Sequence, residues 1–245
     1  MEANLKIWVM GAIGVIIILL IAFAQPYLNP EIKIIDTQKL KAPNNPELVT
    51  FQKQIAGSPF TYQIVSYEMN GTTKRGTVYP EHAPALSWIQ QNIPSDERII
   101  SWWDYGHEIR IIGGHEPVTD NPDDAVLTEI AAGLTAPDAN ITRTRMNRLS
   151  SKYLFIGSED GIIDGKGWIY ALYAKDTGSE GVTALSLSER VDSDTMTTPI
   201  HSFDGPEVPD DIRSALVTRA RNGDKIPGLF PVYSDDFVII LKNQD

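Results

Sequence analysis

Residues 7–24 read IWVMGAIGVIIILLIAFA, eighteen positions without a charge, bounded by Lys6 and by Gln25-Pro26. As a helix this run is about 27 Å long, close to the hydrocarbon thickness of a bilayer. It predicts a transmembrane helix over 1–25, which forces the rest of the chain to fold on one side of the membrane. Ala22-Phe23-Ala24 imitates a small-residue cleavage site, so a secretory signal peptide is the alternative, although Glu2 with Lys6 makes a poor basic n-region. Lys6 favours a cytoplasmic N-terminus. The expectation is a single-pass protein of the cell membrane with its large domain extracytoplasmic.

The chain has 245 residues, with 21 Lys+Arg against 32 Asp+Glu, a net charge of −11. Residues 1–25 hold one acid and one base, so the whole excess of negative charge lies beyond the apolar run. With no basic surplus to displace counterions from phosphates, a nucleic-acid partner is excluded. There is no cysteine. Disulfides, thiolate zinc sites and cysteine nucleophiles are therefore ruled out together, and an extracytoplasmic domain must rely on core packing alone.

Residues 26–50 contain four prolines and no sustained apolar period, and read as a linker. From 51 to 245 the pattern predicts one α/β domain with a core over about 80–175 and a β-rich part over 176–245. FTYQIVSYEM and KRGTVYP alternate as two strands around an Asn70-Gly71 hairpin turn. PALSWIQQNI places Leu86, Ile89 and Ile93 on one helical face, and SDERIISWW supplies a short apolar strand. HEIRII ends at Gly113-Gly114, HEPVT is extended, and Asn121-Pro122 is read as the start of a helix that Gly133 ends. SKYLFIG is a strand, WIYALYA an apolar run of either type, DIRSALVTRA a helix and LFPVYSDDFVIILK a terminal hairpin. Strands alternating with helices imply a mixed sheet flanked by helices, with β-hairpins added at both flanks.

The most informative stretch is Trp102-Trp103-Asp104-Tyr105-Gly106, placed where the strand around Ile99 and Ile100 gives way to a helix. Ligands in open α/β sheets sit at such strand ends. Core filling by the Trp pair, capping by Asp104 and a turn at Gly106 would be the plain structural reading. By average composition, however, such a pentapeptide arises by chance in a chain this long on the order of once in a hundred thousand trials. A Ser or Thr hydroxyl has one donor and two acceptor lone pairs, which two indole N–H groups and one carboxylate could saturate. Consecutive strand residues alternate faces, so the three can meet at one hydroxyl only if the backbone leaves the strand there.

This pentapeptide resembles the WWDYG signature of the oligosaccharyltransferase catalytic subunit, the glycosyltransferase that moves a lipid-linked oligosaccharide onto the asparagine of N-x-S/T sequons. Asp120-Asn121 is similar to a pair that follows the signature in that family, and the likeness extends over about residues 7–175. The resemblance implies that the chain is the last transmembrane helix and C-terminal domain of an archaeal-type subunit. It implies that Trp102, Trp103 and Asp104 bind the Ser/Thr of the acceptor polypeptide, with Tyr105 and Gly106 shaping the pocket and Gly106 permitting a sharp entry into the helix. A second element of the family contributes a Lys and an apolar residue to the same pocket; Lys166 and Ile169 in Asp164-Gly165-Lys166-Gly167-Trp168-Ile169 stand near the right distance, with shifted spacing. No residue here is expected to be catalytic. The family's Mn2+ or Mg2+ centre and its donor groove belong to a missing N-terminal membrane region, so no cofactor is expected in this chain, and the chain alone is expected to be inactive.

Asp120, Asp123, Asp124, Asp160 and Asp164 form a loose acidic set explained by helix dipoles and turns rather than by metal binding. His82, His107, His115 and His201 lack metal-ligand spacing and read as solvated or capping residues. The alternative to the transferase reading is a membrane-anchored ectodomain that is structural or that stacks sugar rings on its Trp pair.

Overall fold

The computed structural model describes residues 32–40, 46–55, 58–121, 124–160 and 215–244. The expected transmembrane helix and the stretch holding Lys166, Ile169 and WIYALYA lie outside these residues. Among the described residues no helix is long and apolar enough to cross a membrane.

The first sheet is an antiparallel meander in the order β1-β2-β3-β4: β1 (Ile32–Lys39), β2 (Glu47–Ile55), β3 (Ser58–Met69) and β4 (Thr72–Val78). The Asn70-Gly71 hairpin forms as expected, with φ of 52° and 73° at its two central residues and Met69 paired with Thr72. Both angles are the left-handed values a two-residue hairpin loop demands. The linker expected over 26–50 is corrected by β1 and the start of β2. Pro46, the one of the four prolines within the described residues, precedes β2, and its carbonyl accepts the Leu40 N–H at 2.9 Å, so it removes no ladder hydrogen bond.

A short 3-10 turn, Pro80–His82, leads into α1 (Ala83–Asn92), whose Ala85, Leu86 and Ile89 are buried. The second sheet has the order β5-β6-β8-β7. β5 (Ile99–Ile100) and β6 (Tyr153–Gly157) run parallel, while β8 (Val238–Asn243) is antiparallel to β6 and to β7 (Leu229–Ser234). The HEPVT segment lies extended against β5: Val118 N–H donates to the Ile99 carbonyl at 2.9 Å, and Ile99 N–H to that of Glu116 at 3.1 Å. The mixed sheet therefore matches the expected α/β class. The terminal hairpin joins the sheet at its edge, as expected, with β8 beside β6 and Val238, Ile240 and Leu241 buried in the core. Residues beyond 215 thus complete the sheet that the sequence pattern assigned to 80–175.

Three helices follow the site: α2 (Gly106–Ile111), α3 (Val126–Thr135) and α4 (Ala139–Arg148). α3 begins later than the Asn121-Pro122 signal implies. The Asp124 carboxylate accepts the Val126 N–H at 3.0 Å and caps the start, while Gly133 sits inside the helix. Gly133 faces α4, where a Cβ would meet Thr142 at an ordinary 3.8 Å, and it does not stop the helix. The Thr142 hydroxyl donates to the Gly133 carbonyl at 2.7 Å. A final helix, α5 (Leu216–Arg221), buries Leu216 and Val217 in the same core.

Candidate functional site

The WWDYG stretch lies where β5 ends. Trp102 keeps an extended backbone (φ −64°, ψ 149°), and the next three residues, Trp103–Tyr105, form a 3-10 turn in which Tyr105 N–H donates to the Trp102 carbonyl at 3.1 Å. α2 starts at Gly106. The chain leaves the strand at this point, so the side chains of 102, 103 and 104 no longer alternate across a sheet.

Each residue of the stretch has its own surroundings. Trp102 is only 2% exposed and belongs to the main hydrophobic core, whereas Trp103 and Asp104 are half-buried. Tyr105 is fully buried; its hydroxyl donates to Asp160 Oδ1 at 3.0 Å, and Asp160 Oδ2 accepts the Gly157 N–H at 2.8 Å. A Cβ on Gly157 would stand 2.5 Å from the Tyr105 hydroxyl, which accounts for a glycine at the end of β6. Gly106 has ordinary helical angles (φ −57°, ψ −37°), so the sharp-entry role expected for it is corrected. It is small because a Cβ would lie 2.4 Å from the Thr119 carbonyl oxygen and 2.8 Å from Asp120 Cα.

Asp104 is held from behind by residues outside the signature. The Tyr79 hydroxyl donates to Asp104 Oδ2 at 3.2 Å. Tyr79 is itself fixed: its N–H donates to Glu108 Oε2 at 3.0 Å, and its ring lies 5.0 Å from the His82 ring and edge-on to Tyr105 at 5.5 Å. Glu108 and His82 are both fully buried and joined at 2.6 Å through Oε1 and Nδ1. Burial pushes the Glu108 carboxyl above the usual carboxylate range, while His82 and the Tyr79 N–H pull it back. Phe155 closes the cluster with ring contacts to His82 and Tyr105 at 5.4 Å. The result is a packed aromatic floor under the half-buried Asp104, whose Oδ1 is shielded from solvent.

A second group clasps the first sheet to α2 and to the segment that follows HEPVT. The Tyr67 hydroxyl on β3 meets His107 Nδ1 at 3.0 Å and donates to Asp120 Oδ2 at 3.2 Å, and Arg110 Nε donates to the same oxygen at 3.2 Å. Arg110 also pairs with Glu116. Burial, reinforced by Asp120, pushes the Tyr67 hydroxyl up to about 12. Burial holds His107 below the usual histidine range despite Asp120. At Asp120 burial acts upward but loses to the Arg110 guanidinium, and the carboxyl is held low. A Cβ on Gly76 of β4 would strike the His107 ring at 2.0 Å, so this glycine is what lets the ring seat against the first sheet.

The described histidines are not solvated. His82, His107 and His115 are buried, and His115 binds the Gly113 carbonyl through Nδ1 at 2.8 Å and the Ile93 carbonyl through Nε2 at 3.1 Å. Burial selected the partners that fix these rings, a relation the spacing of histidines could not disclose. Among the described residues no group of three or more His, Asp and Glu side chains could hold a metal. The carboxylates of Asp120, Asp124 and Asp160 are engaged by Arg110 and Tyr67, by the start of α3, and by Tyr105 and Gly157, so they do not form a ligand set.

Three similarities bear on this arrangement. A 44-residue stretch, 18% of the chain and 6% of the relative, is 41% identical to the dolichyl-diphosphooligosaccharide–protein glycosyltransferase subunit STT3B of Oryza sativa subsp. japonica. An alignment of 106 residues, 34% of the chain and 15% of the relative, is 27% identical to the STT3 subunit of Dictyostelium discoideum. No protein-family model matches the chain. The crystal structure of the C-terminal globular domain of an oligosaccharyltransferase from Archaeoglobus fulgidus superposes with a TM-score of 0.50 at 15% identity, over 68% of this chain and 99% of that domain. The chain has the fold of an oligosaccharyltransferase C-terminal globular domain. It takes in nearly all of that globular domain, while the sequence matches to STT3 subunits span only small parts of those longer proteins.

Proposed function

We propose that this chain is the C-terminal part of an oligosaccharyltransferase catalytic subunit, and that its WWDYG stretch reads the Ser/Thr hydroxyl of an N-x-S/T acceptor. The observation that carries the reading is the signature itself, standing at the exit of β5 in a domain with this fold. Asp104 supplies the acceptor for the hydroxyl proton, and Tyr79 steadies the carboxylate from the far side. The indole N–H groups of Trp102 and Trp103 are the donors for the hydroxyl oxygen. In a desolvated pocket a peptide without the hydroxyl forgoes these hydrogen bonds, at about 0.5–1.5 kcal/mol for a neutral one and about 1.5–3 kcal/mol for the one to the carboxylate. Lys166 and Ile169 remain candidates for the second pocket element, with Ile169 against a threonine methyl.

Residues 7–24 form the last membrane span, and the domain is extracytoplasmic. Transfer takes place at a carboxylate-held divalent metal, next to the lipid-linked donor, in the membrane region that this chain does not contain. That metal has no fitting ligand set among the described residues.

Burial of Trp102 disfavours the sugar-stacking alternative, since a stacking platform needs exposed indole faces. Asp104→Ala in the complete enzyme tests the proposal. Loss of a charge-assisted hydrogen bond costs about 1.5–3 kcal/mol, so kcat/KM for N-x-T peptides is expected to fall roughly ten- to 150-fold, and the preference over N-x-A peptides to shrink with it. Equal loss on both peptides, or none on either, would leave the signature as a fold determinant.

A further inference from the structure

The first sheet has a face that nothing among the described residues covers. Val65, Tyr67 and Val78 turn inward to pack with Ile111, while the opposite face is built on an aligned row: Ile34 pairs with Phe51 and Phe51 with Tyr62. Residues directly opposite one another project to the same side. The Phe51 and Tyr62 rings stack at 5.2 Å and Phe60 adds a third ring at 6.1 Å from Tyr62, while an open groove of about 460 Å³ towards the other end of the sheet is lined by Glu47, Glu68 and Arg75 and marks where the apolar patch stops. All of β1 is exposed, with Ile32 at 53%, Ile34 at 64% and Ile35 at 51%, and Phe60 is 52% exposed. A contiguous exposed apolar patch of this kind marks an interaction surface.

Charge and chain length identify the occupant. Residues 26–78 carry six Lys+Arg against four Asp+Glu, a net charge of +2, whereas residues 79–245 carry −13. Lys33 and Lys53 flank the aromatic end of the sheet, and no acid occurs from Phe51 to Tyr67. The seven residues 25–31 separate the apolar run from β1, and seven residues reach about 25 Å at most even when fully extended. We infer that the exposed end of this sheet, with Ile32, Ile34, Ile35 and Phe60, rests on the headgroup region of an anionic lipid bilayer and turns the acidic bulk of the domain away from it. Aromatic rings and lysines whose stems lie along apolar surface suit that interface, and negative surface potential favours the basic segment over the acidic one. The inference rests on the membrane anchor of the proposed function.

The absence of cysteine makes the test direct, because Ile34→Cys and Phe60→Cys each give one labelling site. The full chain, labelled at either position with an environment-sensitive fluorophore, is placed in phosphatidylcholine vesicles containing about 30 mol% phosphatidylglycerol and doxyl-lipid quencher. Ser87→Cys on the exposed side of α1 is the reference. Flotation of the vesicles after a carbonate wash reports the anchor independently. The expected result is flotation with at least roughly twofold stronger quenching at 34 and 60 than at 87, weakening when phosphatidylglycerol is omitted or salt is raised. Flotation with equal quenching at all three sites would overturn the docking while leaving the anchor standing. Thiol cross-linking between two copies at position 34, without lipid quenching, would assign the face to a second copy and also overturn it. Failure to float would remove the anchor and the docking together.

Discussion

Asp104 owes its position to Tyr79, a residue twenty-five positions earlier that carries no signature of its own. The pentapeptide was legible because two tryptophans beside an aspartate are rare in a chain of ordinary composition. Its support was not legible, because Tyr79, His82, Glu108 and Asp160 are brought together only by the folding of β4, α2 and β6, and none stands at a spacing that implies the others. The same holds for Gly106 and Gly157, whose roles are set by atoms far away in sequence. If Tyr79 steadies the carboxylate, Tyr79→Phe in the complete enzyme removes one hydrogen bond to Asp104, and because that bond only positions the carboxylate it should lower kcat/KM for N-x-T peptides by less than the roughly ten- to 150-fold expected of Asp104→Ala. Peptide kinetics with both variants checks the order; a larger loss from Tyr79→Phe, or the same proportional loss on N-x-A peptides, would mean that Tyr79 serves the fold alone.

At the scale of elements, the strands and α1 followed their periodicity, and the departures have local causes. α3 starts after Asp124 because that carboxylate, and not Asn121, caps it, and β1 escaped notice because the prolines around it suggest a linker until β2 is seen to pair with it. The join between the first sheet and α2 adds a pH dependence whose sign can be worked out. His107 is held neutral by burial, facing Tyr67, Asp120, Lys74, Arg110 and Asp104, so below its ordinary value of 6.5 the unfolded chain takes up a proton that the folded chain refuses. Stability present above that pH is therefore lost as pH falls through it. Asp120, whose carboxyl is held low, contributes in the same direction near its ordinary value of 3.8. Glu108, pushed up by burial, acts oppositely above its ordinary 4.5, so the total slope mixes signs. Urea unfolding of the wild type and of His107→Gln between about pH 5 and 8 separates them. The wild type should lose more stability on acidification than the variant, and equal slopes would show that His107 titrates alike folded and unfolded.

At the scale of the molecule, the chain reads as a domain built to hold one short turn in place. The aromatic floor under Asp104 spans both regions of the fold: Tyr79 follows the last strand of the first sheet, and Phe155 lies in the second. The C-terminal hairpin closes the core through β8, an assignment that local patterning could not make because strand order depends on long-range pairing. All of this bears on function only if the acceptor hydroxyl reaches the turn. An N-x-S/T acceptor peptide bearing a diazirine side chain two positions after the asparagine, irradiated with the complete enzyme and mapped by mass spectrometry, measures that contact. The adduct is expected within residues 101–106, competed away by an N-x-T peptide and not by N-x-A; an adduct confined to other parts of the chain, or one that N-x-A displaces equally well, would contradict a hydroxyl read by the turn.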